Sequence, residues 1–173
     1  MRTIAVFISL SLLITLFSCS NKPDNGINEM VVSQIDDAIE QYARSKLIDA
    51  KKTVDAQGNI LIADDKRSYV FSAKRAVFGK IDGDDQEDAV VPVKLFTDKI
   101  YLISDEIFVV LKTGENYKVV ASTNKILKIK EVKDGIITLD YTEIPIDAPN
   151  YGCKECTDEI NFKLEGDSLV RIQ

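Results

Sequence analysis

Five carboxylates fall within seven residues of one short segment: Asp82, Asp84, Asp85, Glu87 and Asp88, in the run Gly79-Lys80-Ile81-Asp82-Gly83-Asp84-Asp85-Gln86-Glu87-Asp88. Like charges at that spacing repel. The segment therefore needs a cation, a Lys or Arg partner, or full solvation. Hard oxygen donors on a short glycine-containing loop suit Ca²⁺, and Asp82, Asp84 and Asp88 are the candidate ligands. Lys80 opens the run with an ammonium that could fill the ion's place outright, and Lys74 and Arg75 stand close by as further neutralising partners. The run is not an EF-hand. Counted from Asp82, the twelfth position is Val93, where that loop requires a bidentate Glu.

The other reactive groups are few. The chain has three Cys and no His among its 173 residues. Ser-His-Asp and Cys-His catalysis and any His-bearing zinc site are thereby excluded. Cys153 and Cys156, in Gly152-Cys153-Lys154-Glu155-Cys156, are expected to pair as a disulfide in an oxidising compartment. A redox-active Cys-x-x-Cys normally sits at a helix N-terminus in a βαβ unit. Here it follows Pro145, Pro149 and Gly152 in a loop. Zinc would need two more Cys or His ligands than this pair supplies. Paired carboxylates could support glycoside hydrolysis, but no placement singles out an acid and a base. Tyr69, Tyr101, Tyr117, Tyr141 and Tyr151 could line a sugar or peptide groove, or pack as core and cross-strand partners. With 28 acidic and 22 basic residues the formal charge is −6. That balance argues against a nucleic-acid partner, which needs clustered Lys and Arg.

The first eighteen residues read as an address. Met1-Arg2 precedes an apolar run from Ile4 to Phe17 that is too short for a comfortable membrane span and fits the h-region of a secretory signal. The run ends in Leu16-Phe17-Ser18-Cys19. This resembles the bacterial lipoprotein signal, which implies cleavage after residue 18 and lipidation of Cys19. The chain would then be held on the membrane by acyl groups rather than by a span. Ser20 after the Cys implies, by the sorting rule of enteric bacteria, the outer membrane. A plain signal peptide with an incidental Cys is the alternative. Residues 19–26 are polar, lack apolar periodicity, and read as a flexible tether.

A single domain is expected over residues 27–173, and its elements must position the acidic run. Ile27, Val31, Ile35, Ala38, Ile39 and Tyr42 recur at helical spacing, which predicts an amphipathic helix from about Asn28, its N-cap, to about Leu47. Beyond it the period changes to two. Short apolar runs flank Gly114-Glu115, Asp134-Gly135 and Gly166-Asp167, three hairpin signals in succession. Consecutive hairpins make an antiparallel meander, not βαβ units. The expected fold is α+β, with one N-terminal amphipathic helix packed on a meander of about six to eight strands. Pro92 places the strand Ala89–Val93 at an edge or gives it a bulge there. The stretch Thr97 to Glu106 is read as an additional strand.

The acidic run resembles the strand–loop–strand of FG-GAP and related calcium-loop β proteins, whose pattern is Gly-Asp-Leu-Asn-Gly-Asp-Gly-x-x-Asp-Ala-Val-Val. On that pattern Asp82, Asp84 and Asp88 take the third, fifth and ninth positions and Gly83 the turn glycine. Two positions depart: Lys80 stands at the first ligand position and Asp85 replaces the second glycine. A looser likeness reaches about Ile172, to secreted bacterial proteins of unknown role that share an acidic loop, an Asp-Gly turn, a Cys pair and a closing hairpin. Here those pieces are Asp134-Gly135, Cys153 with Cys156, and Leu164 to Val170.

The expectation is a non-catalytic, lipid-anchored envelope protein. It would be a binding or scaffold module for an unknown protein or glycan partner, with a structural calcium loop possible. One alternative is a metal-dependent or carboxylate-based envelope hydrolase. Another is an inhibitor of a cell-wall lytic enzyme that offers its acidic loop to a basic cleft.

Overall fold

A computed structural model describes residues 28–97 and 101–172. The signal sequence expected over residues 1–18, the lipidation site Cys19 and the tether to residue 26 lie outside the described residues.

The described chain opens on one helix, α1 (Glu29–Lys46). Asn28 caps it: its side-chain oxygen accepts the Met30 N–H at 3.0 Å, satisfying one of the donors every helix start leaves over. Glu29 in the first turn and Arg44 and Lys46 in the last oppose the helix dipole. The end is fixed from outside, because the Arg67 guanidinium donates to the Lys46 carbonyl at 2.7 Å. Val32, Ile35, Ala38, Ile39, Ala43 and Leu47 form the buried stripe.

Eleven strands follow among the described residues, all paired antiparallel. The first seven are β1 (Lys51–Val54), β2 (Ile60–Ala63), β3 (Arg67–Phe71), β4 (Val77–Gly79), β5 (Asp88–Thr97), β6 (Tyr101–Thr113) and β7 (Asn116–Asn124). They form one sheet in the order β1-β2-β3-β5-β6-β7, with β4 also on β5. The last four are β8 (Ile126–Lys133), β9 (Ile136–Tyr141), β10 (Asp158–Glu165) and β11 (Ser168–Ile172), a second sheet in the order β11-β10-β9-β8. The three expected hairpins are β6–β7, β8–β9 and β10–β11. Asp134 and Gly135 turn the second of these with φ +51° and +77°, as a primed turn requires.

The fold class is as expected, but the strand count exceeds six to eight because the meander divides. Between β7 and β8 stands Lys125, at φ +61°, where the chain leaves one sheet for the other. The result is three layers: helix, seven-stranded sheet, four-stranded sheet. Two cores fill the gaps. On the helix side Ile35, Ile39, Phe71, Val91, Phe108 and Val110 pack together, with Tyr42 edge-on to Phe108 at 4.9 Å between ring centroids. On the other side Val90, Ile107 and Val109 meet Ile129, Ile137, Leu139 and Phe162. Each such side chain contributes ~1.5–3 kcal/mol by leaving water. Successive residues of β5 and β6 point to opposite cores, which is why both strands are apolar runs and not alternating ones.

Pro92 does not mark an edge or a bulge. Strand β5 is central, and Pro92 pairs in register with Ile107 of β6. On the opposite side β5 changes partner at this point: β3 pairs up to Phe71 with Val93, and β4 begins with Val77 opposite Val90. Val91 and Pro92 fall in the gap, where a residue without an N–H leaves the ladder intact. The stretch Tyr101–Glu106 is strand, as expected, and forms the first part of β6. No helix among the described residues is long and apolar enough to cross a membrane.

Candidate metal centre

The acidic run is the connection between β4 and β5, and both sheets hold it. Gly79 ends β4 and Asp88 begins β5, the two being paired across the strands. Between them the Ile81 side chain is buried in the inter-sheet core and acts as an anchor. The Lys80 carbonyl accepts the Gly135 N–H of the β8–β9 turn at 3.1 Å. The Gln86 amide reaches the Lys112 carbonyl at 3.5 Å, and Tyr117 donates its hydroxyl to the Glu87 carbonyl at 3.3 Å. The loop is thus built on the fold rather than hung from it.

Asp88 is the buried member of the triad, 0% exposed. Its two oxygens each accept one backbone N–H at 2.9 Å, Oδ2 from Ile81 and Oδ1 from Lys112. Asp82 is exposed, and its Oδ1 accepts the Asp84 N–H at 3.0 Å. Gly83 stands between them at φ +87°, a conformation that side-chain-bearing residues rarely adopt. Asp84 accepts twice from Gln86, from its N–H at 2.7 Å and from its side-chain amide at 3.0 Å. One carboxylate oxygen from each of Asp82, Asp84 and Asp88 lies within 4.8 Å of the other two.

That spacing fits a hard cation. Oxygens 2.3–2.6 Å from a calcium ion lie within about 5 Å of one another. Lone pairs remain for an ion on Asp88, since each of its oxygens accepts one hydrogen bond. Lys80 does not occupy the centre. Its ammonium is paired with Asp85 Oδ1 at 2.7 Å, in solvent, and among the described residues no Lys or Arg makes an ion pair with Asp82, Asp84 or Asp88. Lys74 and Arg75 are likewise outside every such pair.

The electrostatics follow the same division. Burial pushes the Asp88 carboxyl above its usual range. The Lys112 and Ile81 N–H groups oppose this, and the Asp82 and Asp84 charges add to it. Asp84 is held below its usual range by the Gln86 side chain and N–H, with a smaller contribution from the Lys80 charge. Asp85 is lowered by Lys80, whose own ammonium is raised in return.

A linkage prediction follows from Asp88. Its folded pKa lies above its unfolded value of 3.8, so the folded state binds more protons between the two. In chelator, Asp88 should therefore cost stability as pH rises through that window, a cost absent below pH 3.8. In excess Ca²⁺ the slope should reverse, because the ion needs the carboxylate deprotonated. Urea midpoints of wild type and Asp88→Asn against pH, with and without Ca²⁺, check both signs. Equal slopes for the two proteins would refute the assignment.

The other expected sites are placed as follows. Cys153 and Cys156 are disulfide-bonded across a single 3₁₀ turn, Lys154–Cys156, with Cα atoms 5.2 Å apart. The ring is short, so replacing both with Ser should cost only about 2 kcal/mol in the chain-entropy model. A urea melt on the double variant measures it. The tyrosines do not form a common groove. Tyr69 and Tyr117 pack on the helix-side core, Tyr141 on the inter-sheet core, Tyr151 bonds Asp105, and Tyr101 is exposed. Sequence reasoning missed the backbone donors Lys112 and Gly135. Their roles depend on which turn meets the loop, and only the sheet stacking decides that. Compared with protein-family models, with characterised proteins and with solved structures, the chain matches none, so the calcium-loop likeness rests on the loop's own residues.

Proposed function

We propose that this chain is a cation-dependent domain of the bacterial cell envelope, anchored through lipidated Cys19, whose acidic loop takes a hard divalent cation of the calcium class on Asp82, Asp84 and Asp88. The observation that carries this reading is the convergence of three carboxylates with no ammonium or guanidinium among them. Hydrogen bonds within the loop account for where each carboxylate sits, and the convergence of three of them without an ion-paired cation is what supports the metal-dependent alternative. The envelope placement is supported by Leu16-Phe17-Ser18-Cys19 and by the disulfide, which needs an oxidising compartment to persist.

Asp88 supplies a fixed buried ligand, and Asp82 supplies an exposed one that turns the site toward solvent. A cation bound there would supply Lewis-acid polarisation of a ligand oxygen and attraction for an anionic group. The chain's own part is to orient the carboxylates. Gly83 and the Asp84 N–H set Asp82, Gln86 sets Asp84, and Ile81 with Lys112 sets Asp88.

Calorimetric titration with Ca²⁺ and with Mg²⁺, alongside thermal melts, tests the reading. A free ion concentration ten times Kd should add about 1.4 kcal/mol of stability. Asp82→Asn with Asp84→Asn should abolish the heat at a cost of about 1 kcal/mol in chelator, since the Asn oxygens still accept the Asp84 and Gln86 N–H groups but without the charge. No heat and no melting shift in millimolar Ca²⁺ would end the proposal. Metal-stimulated turnover of phosphate and carboxylate esters then separates a hydrolytic centre from a purely structural ion.

A further inference from the structure

The partner change in β5 leaves a concavity of about 370 Å³, inside the usual range of ligand pockets. It adjoins the acidic loop in sequence, Arg75 lying seven residues before Asp82 and Pro92 four after Asp88, but shares no lining residue with it. Val70, Arg75, Pro92, Lys94, Asp105 and Leu127 are among the residues that line it. Strand β3 stops pairing at Phe71, and residues 72–76, including the 3₁₀ turn Ala73–Arg75, step across the gap before β4 begins. That step sets Arg75 at the rim beside Pro92.

The polar groups here are unequally satisfied. Lys94 Nζ pairs with Asp105 Oδ1 at 3.1 Å, and the Tyr151 hydroxyl donates to Asp105 Oδ2 at 2.8 Å. Both oxygens of the one carboxylate are thus occupied. Lys94 keeps donors to spare, since an ammonium has three. Arg75 makes no ion pair or side-chain hydrogen bond among the described residues. Glu106 borders the same cavity but does not compensate the cations. It stands opposite Val93, whose side chain belongs to the helix-side core, so its carboxyl points to the other face of the sheet. On the face that Lys94 and Asp105 share, Arg75 is therefore left without an acidic partner among the described residues. The pocket walls at Val70, Pro92 and Leu127 are apolar. The β9–β10 connection reaches the pocket only through the Tyr151 hydroxyl bound to Asp105.

We infer that this pocket binds a small organic anion with an apolar body, its acidic group on Arg75 and Lys94 and its body against Val70, Pro92 and Leu127. The Lys94–Asp105–Tyr151 chain orients Lys94, and Arg75 supplies the charge-assisted fork that favours carboxylate or phosphate.

The test is amide chemical-shift mapping on the full-length protein with three probes: phenylacetate, phenyl phosphate and the neutral phenylacetamide. Phenylacetate or phenyl phosphate should shift the Val70, Lys94 and Leu127 amides in a saturable way. Whichever of the two saturates at lower concentration identifies the acidic group. Arg75→Gln should weaken that binding about tenfold, as expected for one lost charge-assisted bond, while Arg75→Lys retains part of it. Arg75 is exposed, so the Gln variant should keep its fold, as the remaining spectrum will show. Absence of localised shifts with both anions at millimolar concentration overturns the inference. So does equal binding of phenylacetamide, or binding that Arg75→Gln leaves unchanged.

Discussion

Asp88→Ala should destabilise the domain by about 3 kcal/mol and eliminate any response to Ca²⁺. The substitution leaves two N–H groups without acceptors, Ile81 at the start of the loop and Lys112 near the end of β6. A buried donor stripped of its partner costs about 1–3 kcal/mol. Against this, removal of the side chain relieves the burial that holds the carboxyl above its ordinary range, so the two losses do not add in full. Asp88→Asn separates the contributions. The amide keeps one acceptor and puts an NH₂ against the other N–H, while carrying no charge to desolvate. Its cost in chelator should be about 1–2 kcal/mol, and its cation response should vanish all the same. Urea denaturation of both variants, in chelator and in saturating Ca²⁺, reads these numbers. Should Asp88→Ala unfold at the wild-type midpoint, Asp88 would not be the brace described above. Should Asp88→Asn bind Ca²⁺ as wild type does, it would not be a ligand.

The role of Asp88 shows how far the sequence could be read. Clustered carboxylates and the Asp82-Gly83 turn are local facts, and Asp82, Asp84 and Asp88 do come together. The N-cap at Asn28 and the three hairpin turns were equally local, since each is set by the chemistry of two or three neighbouring residues. The second sheet was not recognised, although a signal for it existed. Ala89 to Val93 and Ile107 to Leu111 are continuous apolar runs, and a strand with only one covered face would alternate. Those runs required a cover on the face opposite α1. Strand β1 carried no such signal: Lys51-Lys52-Thr53-Val54 is exposed throughout and is held by pairing with β2 and by the Lys52–Glu40 ion pair to α1. The brace from Asp36, which accepts the Ala73 N–H at 2.8 Å, joins residues 37 apart in sequence and depends on how the helix lies on the sheet. The ion pair of Lys80 was also beyond reach. Its choice of Asp85 over the triad depends on where a flexible side chain points after the Gly135 turn has fixed its backbone.

Gly79→Ala should cost about 3 kcal/mol, and the loss should be global. A Cβ at this position would lie 2.5 Å from Val132 Cγ1 and 2.8 Å from the Val132 carbonyl oxygen. A side chain can rotate, but a carbonyl in β8 cannot move without dragging its strand, so β4 must separate from the second sheet. Overpacking of this kind costs roughly 1–3 kcal/mol or more. Adding Val132→Ala should restore only part of the loss, because it removes the methyl contacts and leaves the carbonyl, and the two changes should be non-additive. Gly83→Ala is the contrast. Nothing lies within 4 Å of its Cβ position, but its φ of +87° is strained for any L side chain, at roughly 1–2 kcal/mol. That strain is confined to the turn joining Asp82 to Asp84. If the loop is only a turn, Gly83→Ala costs the same in chelator and in Ca²⁺. If it holds a cation, the cost rises in Ca²⁺, because the variant loses binding energy as well as turn energy. Gly79→Ala, by contrast, lowers stability in both conditions, since the clash is with β8 and present whether or not an ion is bound. Chelator and Ca²⁺ melts of the two glycine variants thus separate what the loop contributes to the fold from what the fold contributes to the loop.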